Sequence, residues 1–261
     1  MQYLKGLIFG LGIISASFFI FYSTCNQDVE IPVKETFPFE SYFLSRDYPD
    51  FKPDQKAILA SKAEIQNKLQ LRQSTPFDSS WNDIGPGNIG GRFNCLATDP
   101  NNTNIQYAGS PCGGIFKSTD GGYAWSPIFD EQPYLSVGHI ALNPLNSNVI
   151  YAGTGDVNIS GSPFMGNGVY KSTNGGQSWT HLGLVQESII SKIRVHPTDT
   201  NIVYASAMGL PFEKHNNRGL YKSTDGGQSW SHVLFINDST GIIDLAINPK
   251  DPDILYACGW N

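Results

Sequence analysis

Short apolar runs recur in a fixed order along the chain, each leading into a polar, glycine-rich nonapeptide. Gly114-Ile115-Phe116 precedes Lys117 to Trp125 (KSTDGGYAW), Gly168-Val169-Tyr170 precedes Lys171 to Trp179 (KSTNGGQSW), and Gly219-Leu220-Tyr221 precedes Lys222 to Trp230 (KSTDGGQSW). Another run starts at each Trp. Apolar run, turn residues, apolar run predicts a β-hairpin. Ser and Asp side chains can bond nearby backbone amides, paired glycines admit positive φ, and the Trp can pack back over the turn. The three copies start 54 and 51 residues apart, so the chain is a repeat array.

A second unit recurs between the boxes. Asp99-Pro100, Asn143-Pro144, His196-Pro197 and Asn248-Pro249 lead to Ile105-Gln106-Tyr107-Ala108, Val149-Ile150-Tyr151-Ala152, Ile202-Val203-Tyr204-Ala205 and Ile254-Leu255-Tyr256-Ala257. Each Pro follows a Trp, at 81, 125, 179 or 230, by 19, 19, 18 and 19 residues. Every repeat therefore predicts four strands: A before the Pro, B ending in Tyr-Ala, C before the box and D from the Trp. Four-stranded antiparallel repeats of this length are blades of a β-propeller, an all-β fold. Trp81-Asn82-Asp83-Ile84 reads as a lone strand D that closes the ring. Three whole blades and half of a fourth follow over 81–261. A closed propeller needs about four blades or more, so the ring is expected to be incomplete and the chain to be the N-terminal part of a longer protein.

The remainder divides into a leader or anchor over 1–24 and a tether over 25–80. Gly6 to Tyr22 is an uncharged apolar run behind Lys5, the layout of an export signal. Cys25 follows in Ser23-Thr24-Cys25-Asn26, and a Cys directly after such a run resembles a bacterial lipoprotein processing site. A lipid anchor, ordinary cleavage and an uncleaved anchor all stay open, and all three put the rest outside the cytoplasm, with membrane contact only through the N-terminus. Pro53 to Leu71 predicts one helix among good helix formers. The cysteines at 25, 95, 112 and 258 have no metal-ligand spacing. Cys95 is expected opposite Ala108 rather than Cys112, which favours buried free thiols. With 15% charged residues, a net charge of −6 and no basic cluster, nucleic acid is excluded as a partner. No motif calls for a metal or cofactor.

The box Ser-x-Asp-x-Gly-x-x-Trp resembles the Asp-box, or bacterial neuraminidase repeat. Ser118, Asp120, Gly122 and Trp125 carry it, as do Ser172, Asn174, Gly176 and Trp179, and Ser223, Asp225, Gly227 and Trp230. The segment Trp81 to Arg92 also resembles the start of exported bacterial propellers grouped with the sortilin type. That resemblance implies the fold and leaves activity open among sialidases, xyloglucan-cleaving glycosidases, peptide receptors and assembly factors.

Asp120 and Asp225 stand one per blade on hairpin turns, and Asn174 replaces the acid in the second copy, so their expected role is structural. The A–B and C–D turns share one face, and the B–C and D–A loops share the other. Long B–C loops over Thr154–Asn167 and Ser206–Arg218 place the candidate ligand-binding groups on that second face: Asp156, Asn158, Glu213, His215 and Arg218, with Arg92 at the start of the first inner strand. Asp156 and Glu213 are the candidate catalytic acids if the protein is a glycosidase, which needs two carboxylates about 5 to 10 Å apart. The xyloglucanase resemblance implies an Asp before the Gly-Gly that opens a strand C, where this chain has Pro111. The sialidase resemblance implies an arginine triad, and Arg92, Arg194 and Arg218 are not set in its motif. Cys95, His139, Lys192 and Asp244 fall in one column of the inner strands, either lining the channel or satisfied between blades. These readings favour a scaffold that binds an extracellular protein, peptide or glycan, with a glycoside hydrolase as the alternative.

Overall fold

The computed structural model describes residues 91–158, 164–211 and 213–261, together with Ala60, Ser61, Ala63, Glu64, Asn67 and Lys68. These six are helical and exposed, inside the span predicted as a helix, and Lys68 pairs with Glu64 one turn away at 2.7 Å. The chain divides into Met1–Pro53, which lies outside the described residues, and Asp54–Asn261. The predicted leader, Cys25, the tether's ends and the strand at Trp81 also lie outside them.

Blade one is β1 (Cys95–Thr98), β2 (Gln106–Gly109), β3 (Ile115–Ser118) and β4 (Ser126–Pro127). Blade two is β5 (Val137–Asn143), β6 (Asn146–Thr154), β7 (Val169–Ser172) and β8 (Thr180–His181). Blade three is β9 (Ile190–Val195), β10 (Val203–Ala207), β11 (Gly219–Ser223) and β12 (Ser231–Leu234), and half a blade follows in β13 (Gly241–Ile247) and β14 (Leu255–Trp260). Each sheet is antiparallel and hydrogen-bonded in chain order. The inner strands β1, β5, β9 and β13 touch in succession, which is the arrangement of consecutive β-propeller blades.

The cores lie between blades. Tyr107, Ile115, Phe129, Val137, Ile150 and Tyr170 close the first junction, and Tyr151, Val169, Ile190, Ile193, Val203 and Tyr221 the second. Polar contacts repeat at the same junctions. Lys117 Nζ donates to the Gly175 carbonyl at 2.8 Å and lies over the Tyr107 ring; Lys171 Nζ donates to Gly226 at 2.9 Å and lies over Tyr151. The box tryptophans extend the junction. Trp125 Nε1 donates to its own turn at Gly122, as expected, but Trp179 and Trp230 donate across to the preceding blade, at the Ile128 and Leu182 carbonyls. A preceding strand D offers a carbonyl that the turn itself need not supply.

Inside each box the acid is spent on the turn. Asp120 Oδ1 accepts from the Ser118 hydroxyl and from the Tyr123 and Ala124 amides, and Asp225 accepts from the Ser223 and Ser229 hydroxyls and the Ser229 amide. Asn174 accepts from the Ser172 hydroxyl and the Ser178 amide with the same oxygen. The box also ties to the A–B turn of its own blade, through Gly121, Gly175 and Gly226 amides to the Asn104, Asn148 and Asn201 carbonyls, so both turns do share one face. At the opposite end, strand C opens on a glycine because strand D runs against it. A Cβ on Gly168, at φ 82°, would overlap the Gly183 carbonyl oxygen.

The structure shifts the expected position of Cys95 by one residue: it stands opposite Gly109, and Leu96 opposite Ala108. Cys95, Cys112 and Cys258 are free thiols, but Cys112 and Cys258 are exposed, so only Cys95 approaches the expected interior placement. Burial pushes the Cys95 thiol up to about 11, against opposing hydrogen bonds from the Gly109 and Ile140 backbone.

Candidate functional site

The long loop of blade two and the lead-in to β1 meet through one carboxylate. Asp156 is fully buried, at 0% exposure, and its Oδ2 takes the Arg92 Nη2 at 2.5 Å while the Arg92 side chain keeps 44% of its surface open. Asp156 Oδ1 accepts from Asn94 Nδ2 at 3.2 Å and from the Asn158 amide at 3.1 Å. Asn94 Nδ2 also reaches the Val137 carbonyl at 3.0 Å, and the Asn94 Oδ1 accepts from Asn158 Nδ2 at 2.9 Å. The Asp156 amide donates to the Phe164 carbonyl at 2.7 Å, and Phe164 exposes its ring. Arg92, Asp156 and Asn158, each expected on this face of the domain, meet in one hydrogen-bonded cluster, a contact that the sequence did not foretell. Asn94 was not singled out from the sequence; its position two residues after Arg92, on the same side of an extended segment, is the signal that could have found it.

The candidates of blade three form a second cluster. Arg218 is 2% exposed and its guanidinium donates to the carbonyls of Met208 at 2.6 Å, Leu210, and Glu213 at 2.8 Å. It closes its own loop from inside instead of standing on the loop surface, because backbone carbonyls there have no strand partner and need donors. Burial pulls the Arg218 pKa down, with Asp238 and Glu213 opposing the shift. Its carbonyl accepts from His232 Nε2 at 2.9 Å, and the His232 ring stacks on Tyr221 at 4.4 Å. His181 repeats this role in blade two, bonding the Asn167 carbonyl beside Tyr170. His215 ties the loop to the next connection through its amide to the Asp238 carbonyl, and Glu213 is half-buried. Asp156 belongs to the first cluster and Glu213 to the second.

Members of the inner column bond from blade to blade. Lys192 Nζ pairs with Asp244 Oδ1 at 3.0 Å, and His139 Nδ1 accepts the Ile193 amide at 3.3 Å. Burial, followed by the positive charges of Lys192 and Arg194, holds the His139 pKa down to about 3, so the ring is neutral at physiological pH. His196 stands at a turn where Asp99, Asn143 and Asn248 stand in other repeats, and its Nδ1 accepts the Asp199 amide at 3.0 Å, the acceptor role that the Asx oxygens fill elsewhere. Among the described residues no three His, Cys, Asp or Glu side chains converge on a metal-sized site. No helix among them is long and apolar enough to cross a membrane.

A xyloglucanase from Acetivibrio thermocellus is 25% identical over 202 residues, covering 72% of this chain and 23% of the enzyme. The chain is similar to xyloglucanases. A second, from Hypocrea jecorina, is 25% identical over 168 residues, 59% of this chain and 19% of the enzyme. The sortilin family model, described as sortilin, neurotensin receptor 3, matches residues 113–234. The crystal structure of an ancestral GH74 enzyme superposes with a TM-score of 0.55 at 24% identity, covering 69% of this chain and 23% of that one, a likeness of fold. The chain thus spans about a quarter of the length of the Acetivibrio relative, 23%. Its propeller is of the kind that sortilin-type proteins and glycoside hydrolases share.

Proposed function

We propose that the chain is an exported propeller segment of the glycoside-hydrolase type that engages a xyloglucan-like polysaccharide. The observation that carries this reading is the match to xyloglucanases across 72% of the chain. The geometry supports a share in recognition. Arg92 and Asn158 are set by the buried Asp156 and by Asn94 and stand at the surface, and Phe164 exposes its ring on the same loop. Planar donors beside an apolar ring are what the hydroxyls and faces of a neutral sugar require.

Acid chemistry is harder to assign to these residues. A glycosidase needs one carboxylate free to protonate and another free to attack or to activate water. Asp156 is fully buried and accepts three hydrogen bonds, and Pro111 occupies the position where the xyloglucanase resemblance implies an Asp. A second reading, a scaffold that binds an extracellular glycan, protein or peptide without cleaving it, draws its support from those two observations.

Reducing-sugar release from xyloglucan separates the two. Release that survives Asp156→Asn and falls with Glu213→Gln supports hydrolysis with Glu213 as one acid. Binding without release supports the scaffold. Neither binding nor release removes the polysaccharide reading.

A further inference from the structure

A cavity of about 470 Å³ lies between the inner strands of blades one, two and three, reaching the A–B turn prolines Pro144 and Pro197. It is at the box-turn end of these strands, whereas Arg92 and Asp156 stand at the other. Its walls mix aliphatic side chains, among them Leu96, Ile140, Leu142 and Val195, with a polar lining of similar extent that includes His139 and Arg194.

Those two side chains present an unfilled arrangement. The Ile193 amide can only donate, so His139 Nδ1 must accept from it, and the proton of the neutral ring then sits on Nε2. Arg194 Nη1 lies 3.5 Å from that Nε2. Both are donors, so neither satisfies the other. The remaining Arg194 contact is a 3.4 Å approach to the Ile193 carbonyl, and among the described residues no carboxylate lies within ion-pair distance of its guanidinium. Asp244, the neighbouring acid, is taken by Lys192 at 3.0 Å. Two N–H donors, one of them charged, therefore converge in this groove, beside aliphatic side chains, with no acceptor between them.

We propose that this groove binds a carboxylate carried on an apolar or ring-shaped body. One carboxylate oxygen bridges His139 Nε2 and Arg194 Nη1, and the body packs against the aliphatic walls. A carboxylate fits better than a phosphate dianion because the groove offers one uncompensated cation, and charge-assisted bonds to Arg are strong where water is displaced.

The test titrates the full chain with benzoate and with glucuronate, followed by NMR, beside the neutral counterparts benzyl alcohol and glucose. At least one carboxylate should bind saturably, about tenfold or more tighter than its neutral counterpart. Benzoate alone identifies an apolar body, glucuronate alone an acidic sugar. Arg194→Met should weaken the bound carboxylate by about tenfold or more, and Arg194→Lys, which keeps the charge, should retain part of the affinity. If no carboxylate binds the unaltered protein, if the neutral compounds bind equally well, or if Arg194→Met binds as before, the site is refuted. The comparison of charged with neutral ligands decides the matter even where the methionine variant does not fold.

Discussion

Arg92 and Asp156 form an ion pair at 2.5 Å in which the acid is wholly buried and the base is 44% exposed. The asymmetry decides what each substitution does. Removing Asp156 releases a guanidinium that water can reach, whereas removing Arg92 leaves a charge in the interior with only amide donors. Arg92→Met should therefore cost about 3 kcal/mol and Asp156→Asn about 1 to 2 kcal/mol. Urea unfolding of the two variants checks the order.

The box acids should make stability depend on acid. Hydrogen bonds hold both carboxyls below the usual range, led by the Ser229 hydroxyl for Asp225 and by the Ala124 amide for Asp120. A depressed folded-state pKa adds stability that is complete above the unfolded value, near 3.9, and lost as pH falls through the folded one. Asp225→Asn should leave the box intact near pH 7, since Asn174 already performs that turn, and should flatten the loss of stability below about pH 4. Melting temperatures at a series of pH values read both effects.

Junctions between blades should fail through their lysines. Lys171→Met removes the bond to the Gly226 carbonyl and the cation over Tyr151 while keeping the aliphatic stem. A loss of about 1 to 2 kcal/mol is expected. Lys117→Met should cost a similar amount, because its contacts with Gly175 and Tyr107 repeat the geometry. Hydrogen exchange should rise at β7 and β11 in the first variant.

Arg218 holds the blade-three loop by three carbonyls. Arg218→Met should expose the backbone around Leu210 to proteases at native temperature while the blades stay folded. Limited proteolysis with mass mapping follows it; an uncleaved loop would show that other contacts suffice.

The repeat pattern made the blades legible because each box writes its turn in side chains that must be Ser, Asp or Asn, and Gly, and these survive as a spelling. The Tyr-Ala units marked strand B for the same reason: Tyr107 and Tyr151 fill inter-blade cores that recur. Strand alternation put Arg92 and Asp156 on one face, but their ion pair was not legible, because it depends on how deeply the loop carries the acid. Arg218 was singled out as a surface group, but its inward role was not legible, because its partners are backbone carbonyls that any residue supplies. The reach of Trp179 and Trp230 to the preceding blade was hidden too, since a local turn and a neighbouring strand offer the same acceptor. The donor pair of His139 and Arg194 needed the Ile193 amide to fix the tautomer, a fact of three dimensions.

Affinity electrophoresis through a gel containing xyloglucan shows whether this propeller holds the polysaccharide. The account predicts that the polysaccharide retards the protein and that Asn158→Ala, at an exposed position beside Arg92, relieves much of the retardation. Equal mobility with and without xyloglucan would contradict it.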